Sequence, residues 1–553
     1  MTVAEAIFKA IKIREIDFVF CVPGESFLAT MDSFCGSLQP LLVSARHEEG
    51  AGIMAEAYAK ASSKTGVCMV TRGPGLTHLT IALHTAKQDS TPLVVFVGQV
   101  PTNLRQRESF QELDVVEVTR PMTKWAVELN RADRVAEIVD KAFHIANSGR
   151  PGPVVISLPE DIDRSSTAQH SVWRSSTVGI PSLSTKGVAK AVSMIEDAER
   201  PCIVAGEGIL RVDATDKLIR FAECLEVPVF TAWRRFDTFP NKHPLYMGGL
   251  NLSSVSNDLS EPLKNADLII AIGTRLDEFT TLSYSSPSTE QKLIHIDQSP
   301  EETGGSWIGA DLALVADAGE AMDKLEEALK NSKRAKPSKA RQKQIADWSE
   351  YFRRRTTPRS NRIGLKDGTI DLEGVYHDIL NILTDDASIT CDAGDFGSWL
   401  IRYYKWNQPR TFFGPTTGAM GYALPAAIAA KLARPQAPAI AFAGDGGFAM
   451  TMSELETAVR MNLDSLVVLV FNNNNYGTIS RHQNREFPGR PVGTGLGTIE
   501  FSAIAKAMGA EGFKVSKNVE FSEAFNAALN VGCPAVIDIA VGGSSLDPWD
   551  DNN

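Results

Sequence analysis

Twice near its end the chain runs a continuous apolar stretch straight into a polar turn. Ala439-Ile440-Ala441-Phe442 leads into Gly444-Asp445-Gly446-Gly447-Phe448, and Leu466-Val467-Val468-Leu469-Val470-Phe471 leads into Asn472-Asn473-Asn474-Asn475-Tyr476-Gly477. A short apolar run closed by turn residues is the pattern of a strand buried on both faces. Two such strand ends deliver a carboxylate, side-chain amides and free backbone groups to one edge of a sheet. Those are hard oxygen donors, suited to Mg²⁺ or Ca²⁺. The glycines let backbone N–H groups approach a diphosphate closely.

The same strand–helix alternation fills the rest of the chain. Phe18-Val19-Phe20-Cys21-Val22 ends in Pro23-Gly24, Gly66-Val67-Cys68-Met69-Val70 ends in Arg72-Gly73-Pro74-Gly75, and Leu93–Val97 and Pro153–Leu158 are further runs. A second group comprises Pro201–Gly206, Val227–Phe230, Leu268–Gly273 and Lys292–Asp297. With helical patterns between the runs, the fold class is α/β: three consecutive doubly wound domains with mainly parallel sheets, over 1–165, 186–332 and 368–543. The Ser/Thr-rich stretch Ser165 to Ser184 reads as one linker, and the basic, proline-containing stretch Lys333 to Arg359 as the second. A length of 553 residues suits roughly three or four domains.

A net charge of −11 disfavours a nucleic-acid partner. The basic residues Lys333, Arg334 and Lys336 read as part of a solvated helix or linker. Seven scattered cysteines, none in a CxxC pair, suit reduced thiols in a cytoplasmic protein rather than a disulfide framework or a zinc site. Met1 to Ile7 opens an amphipathic helix, not a signal peptide. No apolar run approaches the length needed to span a membrane.

Three further segments stand out. Ser44-Ala45-Arg46-His47-Glu48-Glu49-Gly50-Ala51-Gly52 opens a helix rich in small residues, where a carboxylate among apolar neighbours holds a proton more readily. Glu48 and Glu49 lie about 100° apart around that helix, so only one can face a given site. Their structural alternative is a pair of first-turn acids favoured by the helix dipole. Gly414-Pro415-Thr416-Thr417-Gly418-Ala419-Met420-Gly421 is a glycine-rich block, and Cys391-Asp392-Ala393-Gly394-Asp395-Phe396-Gly397 closes another strand.

Together these blocks resemble the thiamine-diphosphate enzymes, in which GDG is followed by NN after about 25 residues. The resemblance implies thiamine diphosphate and Mg²⁺ as cofactors. It makes Glu48, directly after the histidine of the RHE block, the carboxylate that bonds N1′ of the aminopyrimidine, so that the 4′-imino nitrogen can take the C2 proton. It puts Gly418 beneath the 4′-amino group and Met420 between the two rings. Gly394, Asp395, Phe396, Gly444, Gly446, Gly447, Tyr476 and Gly477 join them around the coenzyme. Asp445 and Asn473 become side-chain ligands of the metal, with the carbonyl of Asn475; four successive asparagines leave Asn472 as an alternative. In this family the glutamate and the diphosphate site come from different subunits, so a homodimer or homotetramer follows.

Within the family the domain order is that of the acetohydroxyacid synthases and 2-keto acid decarboxylases. Thr71–Thr77 is similar to the SGPGxTN loop of the synthases, and Ser109–Asp114 to their AFQExD block, whose Phe110 and Gln111 positions border the substrate pocket. Three positions depart. Phe279 replaces the second arginine of RFDDR, which contacts flavin and the acceptor carboxylate; His482 (477 + 5) replaces a tryptophan; and Pro23-Gly24-Glu25 puts a carboxylate where pyruvate decarboxylases carry a catalytic aspartate. FAD is therefore an open cofactor. Glu25 and His482 are candidate proton carriers beside Glu48 and Gln111, and a packed or surface histidine is the alternative for His482.

The function implied is a carboligase similar to acetolactate synthase. It decarboxylates a 2-keto acid, with pyruvate the first choice, and transfers the acyl unit to a second carbonyl compound. A non-ligating decarboxylase or aldehyde lyase is the alternative within the enzymes, and an inactive cofactor-binding regulatory subunit the alternative outside them.

Overall fold

The structure, a computed structural model, describes residues 1–167, 179, 181–251, 258–303, 307–330, 339–361, 363–365, 368–542 and 548. It forms three α/β domains, each built on a six-stranded sheet whose paired strands all run parallel. The first sheet holds β1 (Phe18–Cys21), β2 (Leu41–Ser44), β3 (Gly66–Val70), β4 (Leu93–Gln99), β5 (Trp125–Glu128) and β6 (Pro153–Pro159). The second holds β7 (Pro201–Ala205), β8 (Val229–Thr231), β9 (Tyr246–Gly249), β10 (Leu268–Ile272), β11 (Lys292–Asp297) and β12 (Leu312–Val315). The third holds β13 (Ser388–Cys391), β14 (Phe412–Phe413), β15 (Ala439–Gly444), β16 (Leu466–Asn472), β17 (Glu511–Val515) and β18 (Ala535–Ala540).

The strand orders are β2-β1-β3-β4-β6-β5, β12-β11-β10-β7-β8-β9 and β14-β13-β15-β16-β18-β17. The outer two domains thus share one winding, while the middle one has the 3-2-1-4-5-6 order of a dinucleotide-binding sheet. The central strands β3, β4, β6, β7 and β10 are buried along their whole length, as their unbroken apolar sequences require.

The first and third domains share one core. The helix Glu48–Ser62 starts at His47, whose side chain accepts the N–H of Glu49, and ends at Ser63 in the left-handed region (φ 63°). It lies between its own sheet, the helix Gly73–Asp89 and the third-domain helix Ala423–Ala433. Burial on every side explains its small residues: a Cβ on Gly52 would overlap Leu79, and one on Gly50 would overlap Glu454.

A buried ionic cluster joins all three domains. Asp89 accepts from Lys60 of the first domain, lies 3.6 Å from Arg235 of the middle domain, and takes the Thr416 N–H of the third at 2.9 Å. Burial alone would raise the Asp89 carboxyl, but Lys60 and Arg235 outweigh it and hold the group down to about 2.

Residues 168–178 and 180 of the first expected linker lie outside the described residues, as do 331–338 of the second with Lys333, Arg334 and Lys336. Within the remainder of the second, Lys339–Arg355 is a helix with no fully buried residue. None of the seven cysteines, all among the described residues, is in a disulfide; Cys35 and Cys224 are exposed. Among the described residues no helix is long and apolar enough to cross a membrane.

Candidate active site in two halves

The C-terminal ends of β13, β15 and β16 open onto a cleft of about 240 Å³. Gly394, Asp395, Phe396, Gly418, Met420, Gly444, Asp445, Gly446, Gly447, Asn473, Asn475, Tyr476 and Gly477 line it, so the structure gathers every coenzyme-contacting and metal-ligating residue expected of the third domain. The helices Phe396–Tyr403 and Gly477–Glu486 begin at the cleft. Their first N–H groups and dipoles favour an anion there. The floor is bare backbone: Gly418 (φ 69°) would have open space around a Cβ, whereas a Cβ on Gly446 would come 2.5 Å from the Tyr476 ring.

The successive asparagines point in different directions. Asn472 turns away, its Nδ2 donating to Asp538 Oδ1 (3.0 Å) and to the Ile499 carbonyl (3.3 Å). Asn473 and Asn475 reach the cleft. The Asn475 carbonyl already accepts the Gly477 N–H at 2.8 Å, and its side-chain Oδ1 is buried without a hydrogen-bond partner. A buried carbonyl oxygen left unpaired is costly, and a cation would satisfy it. Burial raises the Asp445 carboxyl, against the N–H groups of Gly446, Asn475 and Asn474.

Two carboxylates build the walls. Asp392, buried, accepts the N–H of Gly421 at 3.1 Å and of Ala423 at 2.6 Å, and so shapes the turn that carries Gly418 and Met420. Burial pushes it up to about 6 despite those bonds. Asp395, which lines the cleft, also makes an ion pair. Its carboxylate takes the Arg481 guanidinium at both oxygens (3.0 and 2.6 Å), and its N–H donates to Thr478. It thereby ties the Gly477–Glu486 helix to the cleft wall.

No first-domain residue lines this cleft. The first-domain candidates meet instead around the turn Gly73-Pro74-Gly75. Glu25 lies 3.2 Å from Arg72, which also pairs with Glu160. The Gln111 carbonyl accepts the Gly73 N–H at 2.9 Å, and a Cβ on Gly75 would sit 3.4 Å from Glu48 Oε1. Phe110 beside Gln111 is exposed. Glu48 Oε2 lies 2.9 Å from His78 Nδ1.

Glu48 and Glu49 do diverge. Glu49 faces the third domain, where a Cβ on Gly421 would approach it to 3.3 Å. It is the carboxyl whose proton affinity is raised: burial, then Asp392 and Glu454, push it up to about 7. His482 is not on the cleft wall; it lies along the Gly477–Glu486 helix with Nδ1 3.0 Å from Arg485.

The middle-domain crevice tests the flavin. Phe279, at the position of the second arginine of RFDDR, stacks on Trp233 with ring centroids 4.4 Å apart. The turns after β7 and β10 pack on each other, so that a Cβ on Gly208 would come 2.6 Å from Gly273. Some 50 Å³ remains between Arg150, Arg211, Arg235 and Arg275 and the acids facing them. Ligand pockets run to about 300–1,000 Å³. A flavin dinucleotide does not fit this crevice.

The N-terminal TPP binding domain of thiamine pyrophosphate enzymes matches residues 1–118, their central domain residues 188–325, and their C-terminal TPP binding domain residues 392–539. The chain belongs to the thiamine pyrophosphate enzymes. A probable acetolactate synthase large subunit of Methanococcus aeolicus is 31% identical to it over 99% of this chain and 93% of that protein. The acetolactate synthase large subunit of Corynebacterium glutamicum is 32% identical over 98% and 87% respectively. A mitochondrial acetolactate synthase catalytic subunit of Aspergillus candidus is 30% identical over 96% and 80%.

As a thiamine pyrophosphate enzyme the chain has a cleft that fits the coenzyme's diphosphate end: anion-binding helix starts, a side-chain-free floor, and oxygen donors including one orphan. Sequence reasoning missed His78, Glu454, Arg72 and Arg481. Of these only Arg72, inside the Thr71–Thr77 block, and His78, directly after it, carried any signal.

Proposed function

We propose that the chain is a thiamine-diphosphate-dependent carboligase similar to acetolactate synthase. It decarboxylates a 2-keto acid, with pyruvate as donor, and transfers the acyl unit to a second carbonyl compound. The observation that carries this reading is the division of the site. The cleft that would hold a diphosphate belongs wholly to the third domain, and Glu48 stands apart on the first. Two chains then complete each site, in a homodimer or a dimer of dimers.

In this reading Asp445, Asn473 and Asn475 hold Mg²⁺ against the diphosphate. Gly418 and Met420 seat the pyrimidine, and Glu48 of the facing chain exchanges a proton with it. When bound, the coenzyme supplies the carbanion chemistry, attacking the keto carbonyl and accepting the electrons left by departing CO₂. Glu25, oriented by Arg72, handles protons near the substrate, and Gln111 borders it. Cysteines outside any disulfide suit a reducing compartment, and the reading places the enzyme in the cytoplasm.

Mixed dimers test the division. Glu48→Gln and Asp445→Ala are each expected to be inactive alone. Unfolded and refolded together, they form hybrids with one intact site, recovering up to about a quarter of wild-type turnover. No recovery from a refolded mixture whose wild-type control recovers would overturn the shared site.

A second reading, a non-ligating decarboxylase, is favoured by Phe279 on Trp233, since no guanidinium fork stands there for an acceptor carboxylate. Products from pyruvate decide: acetolactate supports ligation to a keto acid, acetoin ligation to an aldehyde, and acetaldehyde alone simple decarboxylation.

A further inference from the structure

His78 sits on the second turn of the Gly73–Asp89 helix. With Gly73-Pro74-Gly75 matched to the GPG of the SGPGxTN pattern, His78 takes the place of the asparagine. An amide has become an imidazole, a group that can both accept and release a proton.

Its surroundings are specific. Nδ1 lies 2.9 Å from Oε2 of Glu48, a carboxylate whose side chain is 11% exposed, while the His78 side chain is 52% exposed. One edge of the imidazole therefore meets a nearly buried acid and the remainder meets solvent. The ring plane is held by His47, stacked on it at 4.5 Å between centroids and 26° between planes. His47 is itself fixed: its Nδ1 accepts the Glu49 N–H at 3.2 Å, and its backbone N–H donates to Glu454 Oε1 at 2.9 Å. Burial, then the charge of His78, lowers the His47 imidazole below its usual range, which keeps it a neutral acceptor and a passive stacking face. Glu48 and His47 face His78 directly, and Glu49 acts on it from farther along the helix.

His47, Glu48 and His78 offer ligand atoms within 4.8 Å of one another. Stacked imidazoles aim their in-plane lone pairs side by side rather than at one point, so the arrangement suits a proton path better than a shared ion.

We infer that His78 is the positioning residue for Glu48 and its proton route to solvent; this rests on the assignment of Glu48 to the coenzyme. The hydrogen bond holds Oε2, leaving Oε1 on the Gly75 side to face the pyrimidine. When Glu48 carries a proton, neutral His78 accepts it at Nδ1 and the resulting imidazolium releases its Nε2 proton to water. One proton has moved from Glu48 to solvent, and the ring is left as the Nδ1–H tautomer that bonds the carboxylate. The reverse sequence reloads the acid. Glu48 can then change protonation state while the coenzyme blocks its direct contact with water.

The test follows deuterium exchange at the thiazolium C2 of the Mg²⁺ and thiamine diphosphate holoenzyme across pH 5 to about 9, the range in which a histidine titrates. The pattern-restoring His78→Asn keeps a donor for Oε2 and is expected to exchange within about threefold of wild type at its optimum, with the histidine inflection gone from the pH profile. His78→Ala loses both functions, and exchange falls about tenfold or more at every pH. Wild-type profiles from both variants would overturn the inference. Glu48→Gln separates the two levels: if it exchanges normally, the Glu48 assignment fails; if it is silent while both His78 variants match wild type, only the His78 role fails. A second readout needs no coenzyme. In the apoprotein, the NMR titration midpoint of His78 is expected to fall when Glu48→Gln removes its acidic neighbour, and an unmoved midpoint would overturn the pairing.

Discussion

Glu454 of the third domain accepts the backbone N–H of His47 in the first domain at 2.9 Å. The same carboxylate takes the Arg46 N–H at 3.0 Å, and its other oxygen is bonded by Thr457. It is fully buried, and the residues it holds are the two that lead into Glu48. The Glu48 helix is thus aimed by a residue nine positions along the chain from Asp445, in the domain that forms the other half of a site.

Glu454→Ala removes the acceptor from two part-buried N–H groups, which costs about 1 kcal/mol of stability. The freed Arg46–His47 segment is expected to lower kcat about tenfold or more, since small misplacements of an active carboxylate are expensive. Glu454→Gln, which retains one acceptor oxygen, is expected to fall between. Denaturant unfolding beside steady-state turnover checks both; an alanine variant with normal kcat would remove Glu454 from any positioning role.

Asp89 makes stability depend on acid pH. Its folded-state value near 2 lies below the unfolded value of about 3.9, so its contribution is fully present above about pH 4 and is lost as the pH falls toward 2. The shift corresponds to roughly 2–3 kcal/mol. Asp89→Asn is expected to cost about 3–5 kcal/mol at pH 7, because Lys60 and Arg235 lose their buried partner. It should also flatten the stability profile between pH 4 and about 2. Urea unfolding of both proteins over that range is the measurement.

Gly447→Ala tests the coenzyme cradle. A Cβ there would overlap Asp392 Oδ2, the oxygen that holds the Gly421 N–H. Asp392 must move, and the Gly418–Met420 turn with it. Coenzyme affinity, read by intrinsic fluorescence quenching, is expected to weaken about tenfold, or some 1.4 kcal/mol. An unchanged Kd would mean that the turn does not seat the coenzyme.

Removing divalent cations should empty the cleft. Exhaustive chelation and dialysis are expected to abolish turnover and release thiamine diphosphate, with Mg²⁺ restoring both. Asp445→Ala is expected to bind the coenzyme at least ~10-fold more weakly at any Mg²⁺ concentration. Full activity after complete cation removal would contradict the assigned ligands.

Sequence reading found the interior of each sheet and missed its margins. β1, β3, β4, β7, β10, β15 and β16 announce themselves as apolar runs because neighbours cover both faces. Six of the strands that escaped, β2, β5, β9, β12, β14 and β17, are the six sheet edges. Trp125–Glu128 is half-buried throughout and Leu312–Val315 is half-buried or exposed at three of its four positions, so no continuous pattern marks them. β18 escaped as well, its run broken by Asp538, which holds Asn472 and the Phe501 N–H.

The cleft was readable for a related reason. Asp445, Asn473, Gly418 and Met420 act through positions at strand ends and turns, and turn chemistry is local: a glycine at positive φ or a carboxylate after a buried strand is set by the residues beside it in the chain. What folding alone decided lies across long sequence gaps. Glu454 bonds a segment 407 residues away, and Asp395 meets Arg481 at a separation of 86. Neither pair has a periodicity, because a bond across a long sequence gap is chosen by packing. Glu48 and Glu49 are chemically equivalent neighbours in sequence; only the surfaces that the helix finally packs between give one the imidazole of His78 and the other a buried acidic wall.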